Sequence, residues 1–259
     1  MVTPESLRGS DLQTALDFVS DLTDTIDDAD AFARCCVAQL PRLAASELTT
    51  LSLCDLRSHR RHVIGLPPGA IGADARASFD RHFQAHPLVR YHAVEGGQNA
   101  RRISDSVPFA AFRQTALYHE YYRPVGIDHA VALPVQVGDG WLVSFVLNRH
   151  GSDFGDREVA LLDRVRPAVG RLFRRTGLLE RTRDAWQLDR GATAAQELLT
   201  GREREVMRWL AAGKTDRDIA DILAISHRTV HKHLQNVYAK LGVETRTAAA
   251  MRALQTSLH

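Results

Sequence analysis

The chain has 259 residues, 44% hydrophobic and 25% charged, close to globular averages, which excludes long disorder and collagen-like repeats. No stretch approaches the roughly 20 apolar residues that a membrane span needs, and the three cysteines (Cys35, Cys36, Cys54) form no C-x-x-C pair, which argues against a disulfide framework or a zinc ribbon. The formal charge of +2 is uneven: Thr200 to His259 hold ten Lys and Arg against six Asp and Glu, while the rest of the chain holds 23 basic and 25 acidic residues.

A basic C-terminal unit on a slightly acidic body predicts a polyanion-binding module joined to something else. The opening run MVTPESLRGSDLQ carries no basic segment followed by an apolar one, so a reduced, cytoplasmic protein without a membrane partner is expected. The length predicts one large domain or two ordinary ones.

In chain order, Asp11 to Leu43 reads as mostly helical, with Leu12, Leu16, Val19 and Leu22 on one face. Glu47 to Leu56 is β-branched and apolar and predicts a strand, followed by a turn at Arg57–Arg60 and a short strand to Gly65. A helix is expected over Ala73–Ala85, a strand over Ala100–Ser104 and an aromatic-rich helix over Phe109–Tyr122. Asp128–Val137 and Trp141–Arg149 form the clearest hairpin, joined by Gly138-Asp139-Gly140. From Asp156 the chain turns helical towards Asp189, and Leu162, Val165, Val169, Leu172, Leu179 and Trp186 recur on a three-four repeat. That repeat fits packing on its own sheet or a dimer helix that ends near Gly177 or continues towards the linker.

Four helical segments follow Thr200. Thr200 and Glu203 have capping-box spacing, and Val206, Trp209 and Leu210 give the first helix its apolar stripe before Gly213. Thr215 caps a second, with Ile219, Ile222 and Leu223 on one face. After Ala224-Ile225-Ser226 a third helix carries Val230, Leu234, Val237 and Leu241 as a continuous stripe, ended by Gly242. Thr245 caps the fourth, Arg246 to Leu254. Two helices joined by a tight turn, the second amphipathic and basic, predict a helix-turn-helix. Opposite the stripe lie Arg228, Lys232, Gln235 and Ala239, flanked by His231 and Asn236, and no acid occurs in 226–240 to be repelled by DNA.

The run LLTGREREVMRWLAAGKTDRDIADILAISHRTVHKHLQNVYAKLGVETRTAAAMRAL resembles the LuxR-type (FixJ/NarL-like) DNA-binding domain. LTGREREV, Gly213-Lys-Thr, DIA at 218–220, IS-x-x-TV at 225–230 and KLGV at 240–243 carry the likeness, while Gly201 and His227 stand where family members often have Pro. The resemblance implies that His231, Lys232 and Gln235 read base edges, and that Arg228, Thr229, His233, Asn236 and Lys240 are phosphate or scaffold contacts. His233 lies nearer the apolar stripe and is expected to be structural or phosphate-facing. The resemblance also implies that the fourth helix, with Ala248, Ala249 and Ala250, mediates dimerisation. A sigma-factor-like region resembles this hairpin too, but no upstream helices with exposed aromatics accompany it.

The order of elements before residue 177 resembles GAF/PAS-type sensory domains, so the fold class expected is an α+β sensory domain, an antiparallel sheet with packed helices, followed by a small all-α four-helix domain. The boundaries expected are 1–176, a helical extension and linker at 177–198 with a flexible joint at Gly191–Gln196, and 199–259. Phe109, Phe112, Tyr118, Tyr121, Tyr122 and Trp141 are candidates to line an apolar ligand pocket, with Arg113, His119 and His129 as polar handles; core packing is the competing role for each. Receptors for acyl-homoserine lactones join a sensory domain to the same module, but they carry Trp and an Asp-Pro pair at the lactone site, where this chain offers His86-Pro87. No phospho-receiver pattern and no nucleotide-binding glycine loop occurs.

No cysteine accompanies the histidine pairs His59/His62 and His82/His86 or the cluster His227/His231/His233, so surface histidines rather than metal ligands are expected, with no cofactor. G-x-S-x-G is absent and no catalytic residue is assigned, so the protein is not expected to be an enzyme. Cys35 and Cys36 read as buried small hydrophobes. The function expected is a sequence-specific transcriptional regulator, a homodimer on double-stranded DNA that contacts RNA polymerase and whose first domain senses a small-molecule effector or partner. The alternative is a partner-binding regulator that heterodimerises or contacts RNA polymerase without a ligand.

Overall fold

Strand β1 (Leu48–Asp55) is buried along its whole length, so both faces of the sheet it belongs to are covered. The structure, a computed structural model, describes residues 7–67, 71–197 and 199–257. Two compact units divide the chain, residues 1–179 and 180–259.

In the first unit, β1, β2 (Arg60–Leu66), β3 (Arg101–Arg102), β4 (His129–Gly138) and β5 (Trp141–Arg149) form one antiparallel sheet in the order β2-β1-β5-β4-β3. The β4–β5 hairpin closes through Asp139 and Gly140, both at positive φ, the backbone that a two-residue turn between twisted strands demands. Pairing of Leu51 with Phe145 and of Ser52 with Ser144 fixes which side chains share a face. Leu51, Leu53, Leu133, Val143, Phe145 and Leu147 are fully buried and make the centre of one face apolar, with Thr49 and Asp55 of β1 on either side. The strand expected over Ala100–Ser104 shrinks to two residues. Asp105 accepts the Arg102 N–H at 2.9 Å and its guanidinium at 2.7 Å, which curls Ile103–Asp105 into a 3-10 turn.

The helices α1 (Gly9–Thr23), α2 (Ala29–Gln39) and α7 (Asp156–Arg175) accompany this sheet. In α1 the buried stripe is Asp11, Ala15, Phe18 and Leu22, not the expected Leu12, Leu16, Val19 and Leu22. Leu12 and Leu16 are exposed, because burying Phe18 and pairing Asp11 with Arg157 (Nε to Oδ2, 2.8 Å) set the helix one residue out of phase, about 100° of rotation. Helix α7 packs on β4 and α1. Gly170 permits the close approach, since a Cβ there would stand 3.2 Å from the Val135 carbonyl oxygen.

Thr176 and Gly177, the latter at φ +64°, end α7, and α8 (Leu178–Glu197) starts anew. The repeat from Leu162 to Trp186 is therefore split between two helices, and Leu162, Val165, Val169 and Leu172 are buried. The joint expected at Gly191–Gln196 lies within α8.

The second face of the sheet is covered by α3 (Ala73–His82), the turns α4 (Pro87–Val89), α5 (Phe109–Phe112) and α6 (Arg123–Val125), and two π-helical segments, Arg90–Val94 and Tyr118–Tyr122. The single helix expected over Phe109–Tyr122 is broken at Thr115, whose hydroxyl donates to the Phe112 carbonyl at 2.7 Å and accepts the Tyr118 N–H at 3.1 Å. Arg81 and His82 both reach Glu120, at 2.9 and 3.0 Å, and tie α3 to the second π segment.

The second unit contains α9 (Gly201–Ala211), α10 (Asp216–Leu223), α11 (His227–Leu241) and α12 (Arg246–Ser257). Val206, Leu210, Ile219, Val230, Leu234, Val237 and Leu241 share one core with Leu199, Met207, Ala220, Ala249 and Ala253. Ile222, expected inside, is exposed, and Ala220 takes its place; Trp209 is only partly buried at the edge of that core. Ala249 and Ala253 are buried against the unit's own helices, which leaves Ala248 rather than the whole alanine run outward.

Candidate functional site

Two features stand out, a cavity in the first unit and an outward helix face in the second. The cavity lies between the second face of the sheet and its helical cover and has a volume of about 40 Å³. Its floor is Thr50, Ser52 and Cys54 of β1 with Leu142, Ser144, Val146 and Asn148 of β5, every second residue along each strand. Ser52, Ser144 and Asn148 are buried polar residues on an otherwise closed face.

Arg61 enters from the edge strand β2, opposite Cys54. Its side chain is 7% exposed, its Nε meets Asp80 at 3.3 Å, and its guanidinium carbon lies 3.8 Å from the centre of the Phe79 ring. Phe79, Phe83, His86, Leu88, Val89, His92, Tyr121 and Tyr122 complete the wall. His86 Nδ1 accepts the Leu88 N–H at 3.2 Å, so its Nε2–H donates to the Tyr122 hydroxyl at 2.8 Å. Burial pushes the His86 imidazole down to about 3. His92 donates its Nδ1–H to the Gly97 carbonyl at 2.8 Å, burial lowers its pKa, and its buried Nε2 has no partner. Burial raises the Cys54 thiol to about 11, which leaves it a neutral small group.

Of the aromatic residues singled out in sequence, Tyr121 and Tyr122 line the cavity. Phe112 and Tyr118 are core behind it, with Phe112 edge-on to Tyr122 at 5.0 Å between centroids. Phe109 packs against His129 at 4.5 Å, and Trp141, buried at the start of β5, is not among the lining residues. Arg113, His119 and His129 are likewise elsewhere; His129 bonds the Gly151 carbonyl at 3.2 Å.

His86 is interior, which corrects the expectation of a surface histidine there, and His92 is interior too. The polar residues that line the cavity were missed. Their signal was the alternation of Thr, Ser, Cys and Asn along strands too apolar on the other register to be solvent-facing. Among the described residues no group of three or more His, Cys, Asp or Glu is placed to hold a metal ion, and no helix is long and apolar enough to cross a membrane.

In the second unit α10 and α11 are joined by Ala224, at φ +52°, Ile225 and Ser226. Arg202 donates to the Leu223 carbonyl at 2.7 Å and so satisfies the end of α10. The Ser226 hydroxyl accepts the Thr229 N–H at 3.1 Å and caps α11, which Gly242 ends in the left-handed conformation. With Val230, Leu234, Val237 and Leu241 inside, the helix presents Arg228, His231, Lys232, Gln235 and Asn236 to solvent. Gln235 and His231 touch at 3.2 Å, one turn apart, and with Arg228, Thr229 and Lys232 they line an open groove that begins at Ser226. Thr229 and His233 are half-buried. Lys240 turns inward, and its ammonium meets Glu203 at 2.7 Å, a carboxylate 4% exposed that also accepts the Thr200 N–H at 2.7 Å.

The family model of bacterial regulatory proteins, luxR family, matches residues 197–253. Residues 197–253 form a LuxR-family helix-turn-helix domain. The transcriptional activator protein AnoR of Acinetobacter nosocomialis is 47% identical over 60 residues, 23% of this chain and 25% of AnoR. The quorum sensing-dependent transcriptional regulator VjbR of Brucella abortus is 45% identical over 67 residues, 26% of each chain. The match thus spans about a quarter of these curated relatives.

For the first unit, the VqsR LBD domain from Pseudomonas aeruginosa superposes with a TM-score of 0.53 at 15% identity, covering 63% of this chain and 96% of that one, a likeness of fold. The LuxR-family unit accounts for the helix-turn-helix and its caps, and the proteins that share it here are transcriptional regulators rather than enzymes.

Proposed function

We propose that the protein is a transcriptional regulator that inserts α11 into the major groove of double-stranded DNA and adjusts that binding to a small molecule held in the first unit. The observation that carries the reading is the outward face of α11, five polar or cationic side chains with no acid, standing on a core of four buried apolar residues. At about 1.5 Å per residue the 15-residue helix is about 22 Å long, enough to lay its first turns along a groove about 12 Å wide.

His231, Lys232 and Gln235 meet base edges, and Arg228, Thr229 and Asn236 meet phosphates; the pairing with Glu203 favours the scaffold role for Lys240. A homodimer would place two copies of α11 on half-sites about 34–36 Å apart. The fold likeness of the first unit to the VqsR domain, named an LBD, supports a sensory role for it. The protein works in the cytoplasm, with RNA polymerase as its partner on DNA.

Fluorescence anisotropy of the full-length protein on duplex DNA tests the reading. Affinity should fall steeply with salt, and the pair Lys232→Glu and Gln235→Glu should abolish binding with the melting temperature unchanged. Equal binding by the double variant would remove α11 as the reading helix.

A further inference from the structure

The cavity carries an imbalance of charge. None of its lining residues is acidic, and its one ionised side chain is Arg61, 7% exposed. The nearby carboxylate, Asp80, is half-exposed and engages the guanidinium through Nε at 3.3 Å, from the solvent side of the site. A cation so withdrawn from water is stabilised chiefly by what it pairs with.

The neutral groups are polarised in a fixed sense. The Leu88 N–H sets the His86 tautomer, His86 donates to Tyr122, and the Tyr122 hydroxyl keeps its own proton to give. On the same wall, Gly97 takes the His92 Nδ1–H, so His92 Nε2, buried and without a partner, is left as a bare acceptor. Phe79, Phe83, Leu88 and Leu142 supply an apolar lining around these groups.

We propose that the cavity binds a small organic acid, its carboxylate on Arg61, its aryl or alkyl body among Phe79, Phe83 and Leu142, and a hydroxyl or N–H on His92 Nε2. A carboxylate is the group that a planar guanidinium receives through two parallel hydrogen bonds. A neutral lactone or amide head would add no charged partner to the one that the half-exposed Asp80 supplies. The inference rests on the reading of the first unit as a sensor and specifies the chemistry it would sense.

The experiment is calorimetric titration of the full-length protein with matched pairs: 3-phenylpropionate against 3-phenylpropionamide, and octanoate against octanamide, with N-octanoyl homoserine lactone as a neutral comparator. At least one acid should bind about tenfold or more tighter than its amide, the ratio expected when a charged hydrogen bond is lost. Arg61→Gln should erase the preference and Arg61→Lys should retain part of it. Asp80→Asn, at a half-exposed position, should tighten the acid, and it keeps the test decisive should Arg61→Gln misfold. Amides or the lactone binding as tightly as the acids, or a preference that survives Arg61→Gln, would overturn the proposal. If a neutral compound binds and Ser144→Phe blocks it, the acid specificity fails while the sensor reading stands; if nothing binds, both fail.

Discussion

Lys240 was expected on sequence grounds to be a phosphate or scaffold contact, and in the structure it pairs with Glu203. Replacing it with alanine separates the two roles. Glu203 is 3% exposed, and its carboxylate is held by Lys240, by the Thr200 N–H and by the start of α9. Breaking a buried ion pair from one side costs about 3–5 kcal/mol, but the Lys240 side chain is 33% exposed and solvent screens part of that, so about 1–3 kcal/mol is expected. A unit of this size has about 3–9 kcal/mol in all, and each kcal/mol corresponds to about 4–8 °C.

Differential scanning calorimetry of Lys240→Ala should therefore show the C-terminal transition lowered by about 5–20 °C, with the first unit's transition unmoved. Burial raises the Glu203 pKa, yet the Lys240 ammonium and the Thr200 bonds outweigh it and hold the carboxyl below its usual range. A depressed carboxylate contributes stability above its unfolded pKa and loses it as pH falls through the folded value, so the variant should also be less sensitive to acid. Because Lys240 makes no phosphate contact in this account, the slope of log affinity against log salt should stay as in the wild type. A normal melting temperature with a slope flattened by about 0.9, the signature of one lost phosphate contact, would refute the reasoning.

Lys232→Ala should lose about 1–3 kcal/mol of discrimination at one base pair per half-site, whereas Arg228→Ala should weaken all sequences alike and flatten the salt slope by about one; competition binding on single-substitution operators separates the two. Ser226→Ala removes the hydroxyl that accepts the Thr229 N–H and should cost about 1 kcal/mol in urea unfolding of the C-terminal unit. His86, pushed down to about 3 by burial, binds its proton more readily when unfolded, so the first unit should lose stability as pH falls from about 6.5 towards 3. His86→Gln should flatten that part of the profile in pH-dependent melts, and an unchanged slope would contradict the assignment.

The C-terminal unit was almost wholly legible because its signals are local. The caps at Thr200, Thr215 and Ser226 and the stop at Gly242 lie within a few residues of what they fix, and the stripe from Val230 to Leu241 defines the outer face by exclusion. What escaped there was long-range: Lys240 meets Glu203 across 37 positions, and the alanines of α12 find α9. In the first unit β1 could be read from its β-branched and apolar run and the β4–β5 hairpin from Gly138-Asp139-Gly140. The phase of α1 could not, since Leu12 and Leu16 are as apolar as the residues that Phe18 brings inside. The aromatic cluster pointed to the right part of the cover and, through Tyr121 and Tyr122, to one wall of the cavity; the polar wall, Arg61, His86 and His92, converges from segments tens of residues away.

The central claim, that the outer face of α11 reads DNA sequence, is tested most directly by selecting binding sites for the full-length protein from random duplexes, in parallel with Lys232→Ala and Gln235→Ala. The account predicts a two-fold-related motif with half-sites about one helical turn apart, in which each variant loses preference at its own base pair and keeps the rest. Selection of no motif, or of the same motif with the same strength by all three proteins, would contradict it.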